Sequence, residues 1–212
     1  IAAKWLARPD SEVAGVFGSG WQARGHVEAI CTALPLRRVK VYGRKRDKLE
    51  AFCTEMGQRL PGVEIVPAAD AEATVRGADV IGTITTAAAP LFDADWLVPG
   101  VHINAAGSNA LIRQELSEAA VRRCDLVAVD TVDTALKEAG DLVPLLEKGR
   151  LSTRQLVELG DVIVGRRAGR SSPEQITLFE SQGLAVQDLV LASLVLAQAR
   201  ARGLGQELPF GG

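Results

Sequence analysis

The sequence predicts an α/β protein built on a doubly wound parallel sheet. Three observations carry that prediction. Short aliphatic runs alternate with helix-like stretches through the first 130 residues, as strands joined by crossover helices require. The 212-residue chain is 47% hydrophobic but only 4% aromatic, the composition of strands buried on both faces. The first apolar run, Val13 to Phe17, meets a glycine pair, which reads as strand, tight turn and helix.

In chain order, Ala2 to Ala7 reads as a helix stopped by Pro9. After the first strand, Gln22 to Leu34 has helical spacing and Val39 to Tyr42 is a second strand. Asp47 to Leu60 is a charged amphipathic helix with Asp47 as its N-cap. Glu64 to Val66, Val80 to Thr85, Val101 to Ala105 and Leu126 to Val129 read as four more strands, with a short helix over Asp70 to Arg76. Six strands complete a dinucleotide-binding domain over residues 1–130. Residues 131–212 read as mainly helical, over Asp133 to Leu146, Ser152 to Leu159 and Leu184 to Arg202. Gln175 to Glu180 is a candidate extra strand, and GRSSPEQ at 169–175 a surface loop. The last helix is apolar almost all round, so it is expected to be buried against the sheet or under a second domain.

Composition excludes several classes. A net charge of -2 offers no basic face for nucleic acid or an anionic membrane, and Trp5, Trp21 and Trp96 are too dispersed to stack bases. Cys31, Cys53 and Cys124 form no CxxC pair, and with two histidines no metal site is expected. The thiols read as reduced, which points to the cytoplasm. The longest apolar run, Leu189 to Ala197, is too short to span a bilayer. The abrupt opening IAAKWLARPD, without Met, reads as the tail of a helix with residues expected upstream.

The sharpest motif is Gly18-Ser19-Gly20-Trp21-Gln22-Ala23, a G-x-G-x-x-A pattern between a strand and a helix. Gly18 permits the turn, Gly20 lets the backbone approach a pyrophosphate, and Ala23 lets the helix pack close. The helix N-terminus then holds the anion. About 20 residues on, where an acid would hold ribose hydroxyls, stands Gly43 followed by Arg44, Lys45 and Arg46. Guanidinium binds a 2′-phosphate that a carboxylate would repel, so NADP(H) is expected in preference to NAD(H). Thr83, Thr85 and Thr86 either bond ribose and phosphate or cap the next turn.

At His102-Ile103-Asn104-Ala105-Ala106-Gly107-Ser108-Asn109 the chain resembles the ornithine cyclodeaminase/mu-crystallin family. GSGWQA, the stretch GADVIGTITTAAAPLFDADWLVPGVHINAAGS, ITLFESQGLAVQDL and the opening AAKWLARPD are similar to family segments in the same order. The resemblance implies a Rossmann-type NAD(P)-binding domain whose C-terminal helices pack on a substrate and dimerisation domain lying mostly upstream. It also implies that this stretch binds cofactor without being competent in catalysis, since the substrate-gripping Lys and Arg lie outside it. Cofactor contacts are expected for Asn104, Gly107 and Ser108 as well, while the small-residue patch Ser181-Gly183-Ala185 reads either as close backbone approach to a nicotinamide ring, with Gly183 and Ala185 as cofactor contacts, or as a tight strand-to-helix turn.

The implied activity is an oxidoreductase step at the amino or imino carbon of a small amino acid, as in ketimine or pyrroline-2-carboxylate reductases and alanine dehydrogenases. The implied protein is a homodimer. Two alternatives stand beside it: an ornithine cyclodeaminase using NAD, and a non-enzymatic NADPH or small-ligand binder of mu-crystallin type. Cyclodeaminases carry Asp after the glycines of the fifth-strand loop, and Asn109 occupies that place here. An amide does not titrate near neutral pH, so Asn109 is a candidate for holding substrate rather than for acting as its base.

The remaining polar residues have plainer readings. His102 reads as a structural histidine bonded to a loop, and His26 as facing solvent or another helix. Glu138 and Asp141 flank Gly140, a helix end, and read as solvated. Asp188 either pairs across a domain junction or serves the first turn of its helix.

Overall fold

A computed structural model describes residues 1–209. It divides into two units, the first over residues 1–182 and the second beginning at Gly183. In the first, eight strands form one sheet: β1 Val13–Phe17, β2 Arg38–Tyr42, β3 Glu64–Pro67, β4 Val80–Thr83, β5 His102–Ala105, β6 Leu126–Val129, β7 Leu156–Glu158 and β8 Thr177–Glu180. The helices between and around them are α1 Ala2–Leu6, α2 Trp21–Ala33, α3 Arg46–Arg59, α4 Ala71–Val75, α5 Glu118–Arg122, α6 Val132–Glu138, α7 Val143–Glu147 and α8 Leu159–Ile163. The strand order is β3-β2-β1-β4-β5-β8-β6-β7, and every pairing is parallel. The doubly wound α/β fold expected from the sequence is therefore present, with β8 at the candidate extra strand and β7 as one strand not anticipated.

Those two strands lie in the segment expected to be mainly helical. The stretch Ser152 to Leu159 is a short 3₁₀ turn, Thr153–Gln155, followed by β7 and the start of α8. Pairing with β6 holds Leu156 to Glu158 extended, and tertiary pairing outweighs weak local propensity. The candidate strand at 175–180 is β8, and it inserts between β5 and β6. Asp133 to Leu146 is two helices, not one. The Gly140 N–H leaves the helical ladder to donate to the Ser108 carbonyl (2.9 Å), and Asp141 turns inward.

Buried aliphatic side chains cover both faces of the sheet. Successive residues of β1 feed opposite layers. Val16 belongs to the layer that holds Val27, Ile30, Phe52 and Met56, whereas Phe17 belongs to the layer that holds Ile81, Ile103 and Leu178. A smaller cluster joins Leu6 of α1 to Val157 and Val162. The helix expected to start at an Asp47 cap has its cap two residues earlier: Lys45 is its N-cap and Asp47 lies in the first turn, where an acid complements the helix dipole.

The second unit contains α9, Ala185–Ala201. None of its residues is buried, and Leu189, Leu191 and Leu194 are all more than half exposed. An apolar helix becomes buried only where something covers it, and that is a property of the cover rather than of its own residues. Asp188 is exposed in its first turn.

Candidate cofactor cleft

The sheet changes winding direction between β1 and β4, and loops at the carboxyl ends of β1, β2, β4 and β5 frame a cleft of about 710 Å³ there. That is the place and the size at which open parallel sheets hold ligands.

The β1 loop forms one wall. Gly18 has φ +115°, and a Cβ there would stand 2.5 Å from the Ile84 carbonyl oxygen. The chain turns tightly only because glycine tolerates both conditions. Gly20 caps α2, and a Cβ on it would meet nothing within 4 Å. The space over this backbone is open, and a side chain would fill it. The α2 N-terminus has no side-chain cap and no acid in its first turn, so its free N–H groups face the cleft uncompensated. Ser19, Trp21 and Gln22 line the cleft, while Ala23 is buried beneath and lets α2 lie close on the sheet. Arg24 joins α2 to α3 through a forked contact with Glu55 (2.6–3.0 Å) and lies over the Phe52 ring.

The β2 end forms the second wall. Tyr42, Gly43, Arg44, Lys45 and Lys48 line it. A Cβ at Gly43 would approach Ser19 Oγ to 3.0 Å, a contact that rotation of the hydroxyl relieves, so the strand end lacks the usual acid by its sequence and not for want of space. Arg44 and Lys45 are exposed toward the cleft, whereas Arg46 pairs with Glu50 (2.5 Å) and is not among the lining residues.

On the third side, the β4 loop supplies Thr85 and Thr86 and the β5 loop supplies Ala106, Gly107 and Asn109, with Arg113 beyond them. Thr83, Asn104 and Ser108 are buried and hold structure instead of lining the cleft. Thr83 donates to Glu115 (2.8 Å), and Ser108 donates to Glu180. Asn104 Oδ1 meets His102 Nε2 (3.1 Å), and His102 Nδ1 meets Thr177 (2.9 Å). His102 is thus a structural residue, as expected, but it joins Asn104 of its own strand to Thr177 of neighbouring β8 rather than bonding a loop. Burial lowers its pKa to about 3, so the ring is neutral. Gly183 and Ala185 belong to the second unit.

Asp141 is not the solvated acid anticipated. It is 1% exposed, and its Oδ1 accepts the N–H groups of Glu115 (2.8 Å) and Leu116 (3.1 Å). Burial raises its pKa to about 6 and pushes Glu180 well above the usual carboxylate range. Glu138 stays exposed. Glu115, Arg113 and Lys48 were not foreseen. Lys48 follows Lys45 by one helical turn and Arg113 follows Asn109 in the same loop, whereas Glu115 reaches the floor of the cleft through contacts to Thr83 and Thr85 that no local pattern marks. Burial raises Cys31 and Cys53 to about 11 and Cys124 to about 12, so all three remain thiols. Among the described residues there is no cluster of three metal-ligating side chains, and no helix is long and apolar enough to cross a membrane.

Comparison with known proteins places this arrangement. The family model named "Ornithine cyclodeaminase/mu-crystallin family" matches residues 1–203. The chain is 36% identical over 211 residues to a delta(1)-pyrroline-2-carboxylate reductase of Bacillus cereus, covering 99% of this chain and 64% of that protein. It is 35% identical over 196 residues to the ketimine reductase mu-crystallin of Macropus fuliginosus, covering 92% of this chain and 58% of that one. The Thermococcus litoralis delta(1)-pyrroline-2-carboxylate reductase, solved with NADH and L-proline, superposes with a TM-score of 0.93 at 32% identity, over 98% of this chain and 64% of that one. The chain therefore spans less than two thirds of the length of each.

Proposed function

The chain belongs to the ornithine cyclodeaminase/mu-crystallin family, and from that premise we propose that it is the cofactor-binding part of an NAD(P)-dependent oxidoreductase acting at the amino or imino carbon of a small amino acid. The observation that carries the reading is the β1 loop: Gly18 is required by its φ, Gly20 is open to the cleft, and the α2 N-terminus is uncapped. A pyrophosphate fits that combination, since it brings negative charge to unpaired N–H groups where no side chain intervenes. Bound there, a nicotinamide dinucleotide would donate or accept the hydride.

The chain's own residues then have distinct parts. Gly18 to Gln22 cradle phosphate. Arg44 and Lys45 take a 2′-phosphate, favoured by the absence of any acid at Gly43, so NADP(H) is preferred over NAD(H). Thr85, Thr86 and Gly107 flank the opposite half of the cleft. Asn109 offers an amide that holds a substrate amine or imine without titrating, which favours a reductase or dehydrogenase over a cyclodeaminase. Substrate recognition and dimer formation belong to a further domain, in keeping with the length of the relatives. Three unpaired cysteines suit the cytoplasm.

Titration with NADPH and NADH, followed by nicotinamide fluorescence, tests the reading. NADPH is expected to bind more tightly, and Arg44→Ala to abolish the difference. Equal binding of both by the parent protein refutes the 2′-phosphate assignment, and binding of neither refutes the cofactor reading itself. Reduction of a cyclic ketimine with NADPH is then the activity to measure.

A further inference from the structure

Glu115 is fully buried beneath the cleft, and no ion pair to it occurs among the described residues. Four donors hold it instead. Oε1 accepts from the Thr85 N–H (2.7 Å) and the Thr85 hydroxyl (2.6 Å). Oε2 accepts from the Thr83 hydroxyl (2.8 Å) and the Gly107 N–H (2.7 Å). The Thr85 hydroxyl already accepts from the Ala87 N–H (3.1 Å), so its own proton points at Glu115. One carboxylate thereby ties the loop after β4 to the loop after β5. Its own backbone is fixed in turn by Asp141 and by the Leu91 N–H, which donates to the Glu115 carbonyl (2.8 Å). Contact is close enough that a Cβ on Gly107 would stand 2.4 Å from Glu115 Oε1.

We propose that Glu115 is a positioning residue for the nicotinamide half of the cleft, setting the spacing of the Thr85–Thr86 and Gly107–Asn109 walls. The inference rests on the cofactor reading above. In a doubly wound sheet each half of a dinucleotide sits over its own mononucleotide-binding half. The adenosine half belongs to β1 and β2, and the nicotinamide half to β4 and β5, the two strands whose loops Glu115 joins. Only an acceptor-only group meets all four donors. Glutamine does not substitute. With its Nε2 at either oxygen position, an amide N–H faces a backbone N–H, of Thr85 in one orientation and of Gly107 in the other. A buried donor left unpaired is costly, so the two loops would separate.

The test compares two probes, NADPH and adenosine 2′,5′-bisphosphate, on the parent and Glu115→Gln proteins by calorimetric titration, with circular dichroism as a check on folding. Glu115→Gln is expected to weaken NADPH about 10- to 100-fold, the equivalent of about 1–3 kcal/mol, and to change the bisphosphate less than about 2-fold. Thr85→Val, a milder cut of the same network, should show the same pattern at smaller size and serves if Glu115→Gln does not fold. Unchanged NADPH affinity in the folded variants, or equal loss of both probes, overturns the inference. A parent protein that binds neither probe overturns the cofactor reading and this inference with it, an outcome distinct from the other two.

Discussion

The two glycines of the β1 loop are alike in sequence and opposite in physical role, and replacing each separates folding from binding. Gly18→Ala puts a methyl on a backbone at φ +115° and 2.5 Å from the Ile84 carbonyl oxygen. Left-handed strain costs about 1–2 kcal/mol for an L residue, and forcing an atom into a packed contact about 1–3 more. The expected loss is about 2–5 kcal/mol, a large part of the roughly 5–15 kcal/mol that stabilises an ordinary domain. Gly20→Ser meets open space at φ -84°, and serine is a better N-cap than glycine, so stability should stay within about 0.5 kcal/mol of the parent. Its side chain nevertheless occupies the approach to the α2 N–H groups. Losing one or two charge-assisted hydrogen bonds should weaken NADPH by about tenfold or more. Urea unfolding and NADPH titration of both variants make the comparison. Unchanged urea resistance in Gly18→Ala would refute the turn argument, and unchanged NADPH affinity in Gly20→Ser would refute the pyrophosphate placement.

Two further outcomes follow from buried groups. The pKa of Asp141 stands near 6 in the fold against an ordinary 3.8, so the folded state keeps this proton longer than the unfolded state. Its contribution is therefore most favourable below about pH 4 and is lost as pH rises to about 6, by up to about 3 kcal/mol. Asp141→Asn retains an oxygen for the Glu115 and Leu116 N–H groups and does not titrate. Its urea stability relative to the parent should increase between pH 4 and 7, and a pH-independent difference would contradict the assignment. Phe52, 1% exposed between α3 and the sheet, should cost about 3–5 kcal/mol when replaced by Ala, read as a lower urea midpoint. A loss below about 1 kcal/mol would mean that this layer is not packed as described.

The elements around the cleft were legible because each depends on local chemistry. Val13 to Phe17 followed by Gly18 and Gly20 declares strand, turn and helix within ten residues. The run Gly43 to Lys45 shows the missing acid and the cations without any fold being known. Helices with mixed faces and strands of unbroken aliphatic residues likewise announce themselves through their period. Segments whose state is decided by a distant partner were misread. Leu156 to Glu158 is a strand because β6 lies beside it, and Asp141 is buried because the Glu115 and Leu116 N–H groups need an acceptor.

The sequence by itself determined the alternating α/β order, the strand–turn–helix form of the β1 loop and the basic character of the β2 end, since these rest on residues within a few positions of one another. Tertiary structure alone decided the insertion of β8 between β5 and β6 and the division of the threonines, with Thr85 and Thr86 on the cleft and Thr83 beneath it. It alone brought Glu115, from farther along the β5–α5 connection, under the loop after β4 and the start of the loop after β5. Those contacts join residues 8 to 32 positions apart, and hydrogen bonds of that reach exist only after the sheet has formed.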